Sequence, residues 1–168
     1  MSEVRATIEG AVPGSVTDEV THVGETTIEI DPARLLEVAR FVKGPPLSFA
    51  LLSDVSCADI PEDPRRFRVA YHLLSLESGS RLRLRAWADP GEDDAPELES
   101  VVGVWATANW HEREVYDMFG VEFDGHPDLR RILMPEDYEG HPQRRDFPIG
   151  GEPILFTHNE RDVPGWWK

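Results

Sequence analysis

The stretch RFRVAYHLLSLESGSRLRLRAWA (residues 66–88) decides the fold. Its first half is a long stretch of aliphatic and aromatic residues that predicts a strand, and its second half alternates strictly between apolar and polar residues. The alternation puts Leu82, Leu84 and Ala86 on one face and three arginines on the other. Because the short ESGS segment joins the halves, we predict an antiparallel hairpin. One face of the resulting sheet is buried, and the other is wet or covered by a partner.

The residues before this hairpin predict one further helix and two further strands. TTIEI (residues 26–30) alternates as a short strand does, and LSFALL (residues 47–52) is an apolar run of strand length. Between them, DPARLLEVARFVK (residues 31–43) predicts a helix, with Asp at the N-cap and Pro at the first position. Residues 1–25 are polar, with only weak strand character at residues 5–8. The apolar residues of the helix recur every three or four positions: Leu35, Val38, Ala39 and Val42.

The residues after the hairpin predict a second helix and then an arm. An acidic loop comes first, and apolar periodicity then predicts a helix from about Ala95 to Phe119. After Gly120 the periodicity is lost and prolines recur every few residues, too densely for long helices. The predicted fold class is therefore α+β, a mainly antiparallel sheet of three or four strands with two helices on one face and an extended C-terminal arm. We divide the chain into an α/β domain (residues 1–125) and a partner-binding arm (residues 126–168). The arm has too few periodic apolar residues to pack on its own sheet, so we expect it to be mobile in the isolated chain and ordered on a partner.

The composition excludes several classes of function. With 32 acidic and 17 basic residues among 168, the net charge is −15, and no dense basic segment offers a site for nucleic acid. The single cysteine, Cys57, excludes an intrachain disulfide, a cysteine-rich zinc site and an all-cysteine iron–sulfur site. It lies beside an apolar run, and we interpret it as a small buried hydrophobic residue. The N-terminal residues lack a signal-peptide pattern and no run of ~18 apolar residues occurs, so we expect no membrane span.

The most charge-dense stretch, residues 110–148, contains three of the six histidines and invites a search for chemistry. On a helical wheel Glu112 falls inside the apolar stripe, while Arg113 and Asp117 lie together to one side. Because a buried carboxylate is costly unless it is paired, we predict that Glu112 binds an arginine of the arm. The alternative interpretation is a proton-transfer carboxylate with a raised pKa. The available arginines are Arg130, Arg131, Arg144 and Arg145.

No known catalytic or cofactor-binding pattern accounts for this stretch. The pair His111-Glu112 begins like the zinc-binding HExxH motif, but position 115 is Val, so the second ligand is absent. A metal site built from three histidines and one aspartate is geometrically possible, although no spacing rule supports it: His111, His126, His141 and Asp128. The sequence contains no G-x-S-x-G, Walker or G-x-G-x-x-G pattern. We therefore interpret the stretch as an ordered, salt-bridged recognition surface.

The same stretch resembles the signature of a known family, the 30 kDa (C) subunit of respiratory complex I, the NADH–quinone oxidoreductase. Its E-R-E-x-x-D-x-F/L-G motif is matched by residues 112–120, and H-P-D-L-R-R-I-L is matched without a gap at residues 126–133. The ending G-x-P-x-R-[KR]-D-F/Y-P is matched at residues 140–148, and the resemblance covers about residues 26–150. Two positions depart from the pattern. Gln143 replaces the usual Leu, which removes an apolar contact, and Arg145 replaces a frequent Lys while keeping the charge.

The resemblance implies a scaffold subunit of the peripheral arm that binds no cofactor itself. Complexes of this family pass electrons from NADH through FMN and iron–sulfur clusters to quinone and pump protons. The implied partners are the quinone-site (49 kDa, D) subunit, which the C-terminal arm wraps, and other peripheral-arm subunits. The implied location is the cytoplasmic face of the cell membrane, with membrane association only through the complex.

The resemblance implies no catalytic residue, and its motif residues become partner-interface residues or structural ion pairs. They are Glu112, Arg113, Glu114, Asp117, His126, Asp128, Arg130, Arg131, Arg144, Arg145 and Asp146. Two alternatives remain open. One is the equivalent subunit of an F420H2 dehydrogenase or of a membrane-bound energy-converting hydrogenase, and the other is a stand-alone hydrolase or metalloenzyme. The Arg81/Arg83/Arg85 face is interpreted as solvated surface rather than as a second interface.

Overall fold

The hairpin predicted at residues 66–88 lies within a five-stranded sheet. In a computed structural model of the chain, which describes residues 2–90 and 95–148, it consists of two strands joined by a turn. Leu82, Leu84 and Ala86 are buried as predicted. The strands of the sheet are Val16–His22 (β1), Glu25–Ile30 (β2), Leu51–Asp59 (β3), Phe67–Leu74 (β4) and Arg81–Trp87 (β5). Their spatial order is β1-β2-β5-β4-β3.

The α+β class is confirmed, but the sheet is larger and less uniform than predicted. Three of its strand pairs are antiparallel, whereas β2 runs parallel to β5 with Ile28 opposite Leu84. The parallel pair arises because the chain returns from β2 through a helix and two other strands before β5 is added beside it. The sheet is therefore mixed, with five strands in place of the predicted three or four.

The N-terminal residues form a helix and a strand that the sequence did not predict. Residues Glu3–Ala11 are helical (α1), so the weak strand expected at residues 5–8 is wrong. The hydroxyl of Ser2 accepts a hydrogen bond from the backbone N–H of Arg5 and caps the helix. Strand β1 is polar and almost wholly exposed, and it is ordered by pairing with β2 rather than by burial. Such an edge strand carries little apolar alternation from which to be predicted.

The helix predicted after β2 is confirmed, whereas the strand predicted after that helix starts too early. Leu35–Lys43 is α-helical (α2), following a short 3₁₀ turn whose N-cap Asp31 accepts a hydrogen bond from Ala33. All four predicted face residues of α2 are buried. The apolar run at residues 47–52 is mostly loop, and β3 begins only at its end. Phe49 in this loop is 3% exposed, so the apolar run reflects burial rather than strand conformation.

The second predicted helix is shorter than expected. The helix α3 spans Ala108–Phe119, and Gly120 with φ of 71° ends it in the left-handed conformation typical of a C-cap. The residues before it form Pro96–Glu99 (β7), which pairs with Asp89–Pro90 (β6) and Glu122–Asp124 (β8) in a second, small sheet. Leu98 of β7 and the later residues Val101 and Trp105 in the turns are all buried. Their spacing along the sequence is the same as that of the buried side of a helix, which explains the longer helix that was predicted. Within the described residues, every helix is too short to cross a bilayer.

One apolar core joins the three helices to the inner face of the large sheet. Ile8 of α1, Val38 of α2 and Val115 of α3 belong to the same buried cluster as Val69 and Leu84 of the sheet. Residues 2–90 and 95–148 thus contain three α-helices where two were predicted. The fold leaves one side of α3 available to the residues that follow Gly120.

The outer face of the large sheet is covered by paired charges. Arg83 binds Glu25 at 2.8 Å, and Arg85 lies 3.4 Å from Glu29, whose carboxylate also accepts a hydrogen bond from the indole of Trp87. The interpretation of this face as plain solvated surface is wrong for Arg85, whose side chain is 19% exposed. Arg83 and Arg85 thus balance carboxylates of the neighbouring parallel strand.

Candidate functional site

Helix α3 presents its motif residues in two directions. Glu112 points into the core and is 0% exposed, while Arg113 and Asp117, at 7% and 0%, are covered by the residues that follow the helix. The helix is fixed to the sheet near its start, where the hydroxyl of Thr107 donates a hydrogen bond to the carbonyl of Leu52. The predicted wheel positions of these three residues are therefore confirmed.

Glu112 does not bind an arginine. Its Oε2 accepts a hydrogen bond from the hydroxyl of Ser100 at 2.7 Å, and its Oε1 accepts one from the backbone N–H of Val101 at 2.8 Å. The predicted arginine bridge is wrong because the strands place the turn after β7, and not the arm, over this face of α3. Burial raises the pKa of Glu112 to about 7, and the two hydrogen bonds offset only part of that effect. A carboxyl group sealed in the core in this way ties the turn to the helix and offers no access to a substrate.

Asp117 makes the buried carboxylate–arginine contact that had been assigned to Glu112. Its Oδ1 lies 2.6 Å from Nη1 of Arg131. Its Oδ2 accepts hydrogen bonds from three successive backbone N–H groups, those of Ile132, Leu133 and Met134, at 2.7–3.0 Å. Burial by itself would raise the pKa of Asp117, but the three N–H donors and Arg131 outweigh it and hold the pKa below its ordinary value. Asp117 is thus negatively charged in the folded chain, and its contacts fix the backbone of the arm at residues 131–134.

Arg113, a positively charged residue on the same helix, binds the same part of the arm through its backbone carbonyls. Its Nε and Nη2 donate to the carbonyls of Arg130 and Arg131, each at 3.1 Å. Arg131 in turn donates through Nη2 to the carbonyl of Gly140 at 2.9 Å, which draws the next turn of the arm inward. The expectation that the arm does not pack on its own domain is therefore wrong for residues 126–148. Many of their contacts are ion pairs and hydrogen bonds to backbone groups, which apolar periodicity does not reveal.

The end of the described arm is fastened to the edge of the large sheet. Asp59, at the end of β3, accepts two hydrogen bonds from Arg66 at 2.8 and 2.9 Å and one from the backbone N–H of Arg145 at 2.8 Å. Arg66 also binds Asp146 at 2.9 Å. Arg144 donates to the carbonyl of Phe119, the last residue of α3. Arg66 and Ser100 were not among the predicted site residues, because nothing in the neighbouring sequence indicates which carboxylate each of them will meet.

The three histidines of the stretch have three different partners. His111 lies 3.4 Å from Asp54, His126 bonds to the carbonyl of Asn109 at 3.2 Å, and His141 bonds to the carbonyl of Asp117 at 2.9 Å. Burial lowers the pKa of His141, which favours its neutral form. Across residues 2–90 and 95–148, no group of three His, Cys, Asp or Glu side chains is arranged to hold a metal ion.

The remaining motif residues face solvent. Asp128 and Arg130 pair with each other at 3.0 Å while 53% and 61% of their side chains stay exposed. Glu114 and the guanidinium of Arg145 are exposed and make no hydrogen bond or ion pair with the described residues. Cys57 is half-buried, and burial raises its pKa to about 12, which agrees with an unreactive thiol. The motif therefore separates into buried residues that hold the arm or the turn after β7 and exposed residues that are accessible to another molecule.

The chain is similar in sequence to known proteins. The model of the family described as "Respiratory-chain NADH dehydrogenase, 30 Kd subunit" matches residues 28–153. A Roseiflexus sp. (strain RS-1) protein, named as the C subunit of NADH-quinone oxidoreductase, is 41% identical over 154 residues, which are 91% of this chain and 87% of that protein. A protein of the same name from Salinispora arenicola (strain CNS-205) is 45% identical over 167 residues, 96% of this chain and 67% of that protein.

Two solved structures are also similar. One is described as Nqo5 of the trypsin-resistant fragment (1-134), with a TM-score of 0.63 and 31% identity, and it matches 76% of this chain and 100% of that one. The other belongs to the membrane-bound sulfane sulfur reductase, an archaeal respiratory membrane complex. Its TM-score is 0.73 over 88% of this chain and 85% of that one. At 22% identity this second likeness shows a shared fold alone.

Proposed function

Because the chain belongs to the family of the 30 kDa subunit of respiratory-chain NADH dehydrogenase, we propose that it is the non-redox scaffold subunit of an NADH–quinone oxidoreductase, complex I. In this role it is a subunit of the peripheral arm that supports electron transfer from NADH to quinone. Relatives of 41% and 45% identity carry the name of that subunit, which favours this role over an F420H2 dehydrogenase or hydrogenase subunit.

One observation supports the scaffold role: the buried charged side chains of the motif bind backbone groups of this chain itself. Asp117 holds three successive N–H groups and Arg113 holds two carbonyls, so neither is directed at a bound molecule. Glu112 is enclosed with Ser100 and Val101. In this proposal FMN, the iron–sulfur clusters and quinone are held by other subunits, and this chain contributes geometry rather than a chemical step.

The proposed partner is the quinone-site (49 kDa, D) subunit, with other peripheral-arm subunits nearby. The exposed motif residues and the partly exposed His126 are the proposed contacts: Glu114, His126, Asp128, Arg130, Arg145 and Asp146. His126 and Asp146 each reach one residue of their own domain as well. The division into a domain at residues 1–125 and a partner-binding arm at residues 126–168 is then functional. The arm contacts the domain as far as Asp146. Residues 149–168, the remainder of the predicted wrapping arm, lie outside the described structure.

The proposed location is the cytoplasmic face of the cell membrane, reached only through the complex. This fits a chain whose described helices do not span a bilayer and whose relatives are subunits of a quinone-reducing enzyme.

Deletion and complementation in the host test this function. We expect membranes lacking the chain to lose NADH–quinone reductase activity and the assembled complex on native gels, and the wild-type gene to restore both. The complex purified through the tagged chain should contain NADH-binding subunits. An assembled, active complex in the deletion strain would contradict the proposal, as would a hydrogenase or F420-oxidising subunit in place of the NADH-binding ones.

A further inference from the structure

Two large apolar side chains stand exposed where the arm crosses α3. Trp110 is 62% exposed and Leu133 is 60% exposed. Trp110 lies two helical turns before Asp117, and the backbone N–H of Leu133 is bonded to the carboxylate of Asp117. The helix rises by about 10 Å between Trp110 and Asp117, so both exposed side chains belong to the region where the arm is bound to α3. Elsewhere in the described chain, the exposed large apolar residues belong to β1 or to hairpin turns: Val20, Val23 and Leu76.

The indole ring of Trp110 packs against the side chain of Arg113. The guanidinium of Arg113 lies 5.3 Å from the centre of its ring, in the position of a cation–π contact. That guanidinium is itself fixed by the carbonyls of Arg130 and Arg131 and is largely buried. An exposed tryptophan on a fixed base loses little conformational entropy when a partner covers it. Tryptophan and arginine are also among the residue types most enriched at the positions that dominate binding in protein interfaces.

The charges around Trp110 indicate which kind of partner fits. Glu114 lies one helical turn after Trp110, is exposed, and forms no hydrogen bond or ion pair with the described residues. A carboxylate left unpaired beside an apolar anchor is complementary to a lysine or arginine. A second copy of this chain fits poorly, because each copy carries a net charge of −15 and the copies repel one another.

We propose that Trp110 and Leu133, with Glu114 at the rim, form a docking surface for another subunit of the oxidoreductase. That subunit presents an apolar pocket to Trp110 and a lysine or arginine to Glu114. The surface is prepared by the fold of this chain, because Asp117 and Arg113 set the course of the arm on either side of it. The occupant is a subunit of the complex, so this inference rests on the proposed function.

Retention of the chain in the complex tests the surface. Trp110→Ala, Leu133→Ala and Glu114→Lys are introduced in the host, and the complex is purified through a tag on an NADH-binding subunit. Quantitative mass spectrometry then gives the ratio of this chain to the other subunits after washes of increasing salt. We expect Trp110→Ala to weaken retention by roughly tenfold or more, as for a dominant interface residue. We expect Glu114→Lys to lower retention most at low salt, where charge repulsion is screened least.

Leu76→Ala and Glu77→Lys are the matched controls, because they change an exposed apolar residue and an exposed carboxylate in the turn after β4. Both should be retained like wild type. The purified Trp110→Ala chain should remain folded, with at most the small downward shift of its unfolding midpoint that loss of the cation–π contact with Arg113 produces, which separates lost docking from lost folding. Retention of Trp110→Ala and Glu114→Lys at the wild-type level would overturn the docking surface while leaving the proposed function intact. Absence of the wild-type chain from the complex would overturn the proposed function itself.

A photo-crosslinking amino acid at position 110 identifies the occupant. We expect a crosslink to one other subunit of the complex, on a segment that contains lysine or arginine. Changing that basic residue to glutamate should restore retention of the Glu114→Lys chain. A crosslink to a second copy of this chain would overturn the proposal, and so would a crosslink to a segment without a basic residue.

Discussion

The carboxylate of Asp117 lies 2.6 Å from the guanidinium of Arg131, fourteen residues along the chain, and binds the three backbone N–H groups that follow Arg131. One fully buried side chain thus supplies four hydrogen-bond acceptor contacts to a segment without regular secondary structure. Charge-assisted hydrogen bonds of this kind are roughly twice as strong as neutral ones. The relationship explains how a proline-rich arm is ordered on its own domain with few apolar contacts.

Removal of the Asp117 carboxylate should destabilise the chain strongly. Asp117→Ala leaves Arg131 and three N–H groups without their acceptor, and loss of one partner of a buried ion pair costs about 3–5 kcal/mol. Urea unfolding followed by circular dichroism measures the change. Asp128→Ala is the control, because Asp128 belongs to an exposed pair, for which a loss within about 0.5 kcal/mol is expected. Equal effects of the two substitutions would show that the Asp117 contacts add nothing beyond a surface pair.

The first part of the arm should be protected from hydrogen exchange in the isolated chain. The N–H groups of Ile132, Leu133 and Met134 are all bonded to Asp117, so we expect slow exchange there, contrary to the mobility predicted from the sequence. Arg131→Ala should speed this exchange by removing the charge partner and the tie to Gly140. Fast exchange of the three amides in the wild-type chain would mean that the arm is ordered only on a partner.

Stability should depend on pH through Glu112. The folded state raises the pKa of this carboxyl from 4.5 to about 7, so the folded chain binds a proton more tightly than the unfolded chain does. Its contribution is therefore fully present below about pH 4.5 and is lost as the pH rises through about 7, by on the order of 3 kcal/mol in total. Glu112→Gln keeps the shape and the acceptor oxygen but cannot ionise. In unfolding experiments from pH 5 to pH 8, the wild type should lose stability relative to Glu112→Gln. A constant difference across that range would place the pKa of Glu112 near its ordinary value.

The end of the described arm should be released when Asp59 is neutralised. Asp59→Asn weakens the bonds to Arg66 and to the backbone N–H of Arg145, which fasten the arm to β3. We expect faster amide exchange at Arg145 with little change at residues 132–134, since Asp117 holds those separately. Asp63→Asn is the control, because Asp63 pairs only with Arg65 and lies on the same hairpin connection. Exchange that rises equally at both sites would show that the arm opens as one unit.

The pattern of residues along the chain predicted the elements whose order is local. The alternation of Leu82, Leu84 and Ala86 predicted β5, and the spacing of Leu35, Val38 and Val42 predicted α2. In both cases one side of the element is buried, so its apolar residues recur in the sequence with the period of that element. The signature motif likewise predicted the family, because it is a run of particular residues.

Only the tertiary structure decided the partners of the buried charges. Glu112 and Asp117 are two carboxylates on one helix, yet the first meets Ser100 and the second meets Arg131. Their positions on the helix follow from its 3.6-residue period, whereas their partners depend on where the turn after β7 and the arm are placed in space. The sequence by itself determined which residues could pair and which family the chain resembles. Which of them do pair was decided by long-range packing, since the cost of burying a charge is offset only by a donor that the whole fold brings within hydrogen-bond distance.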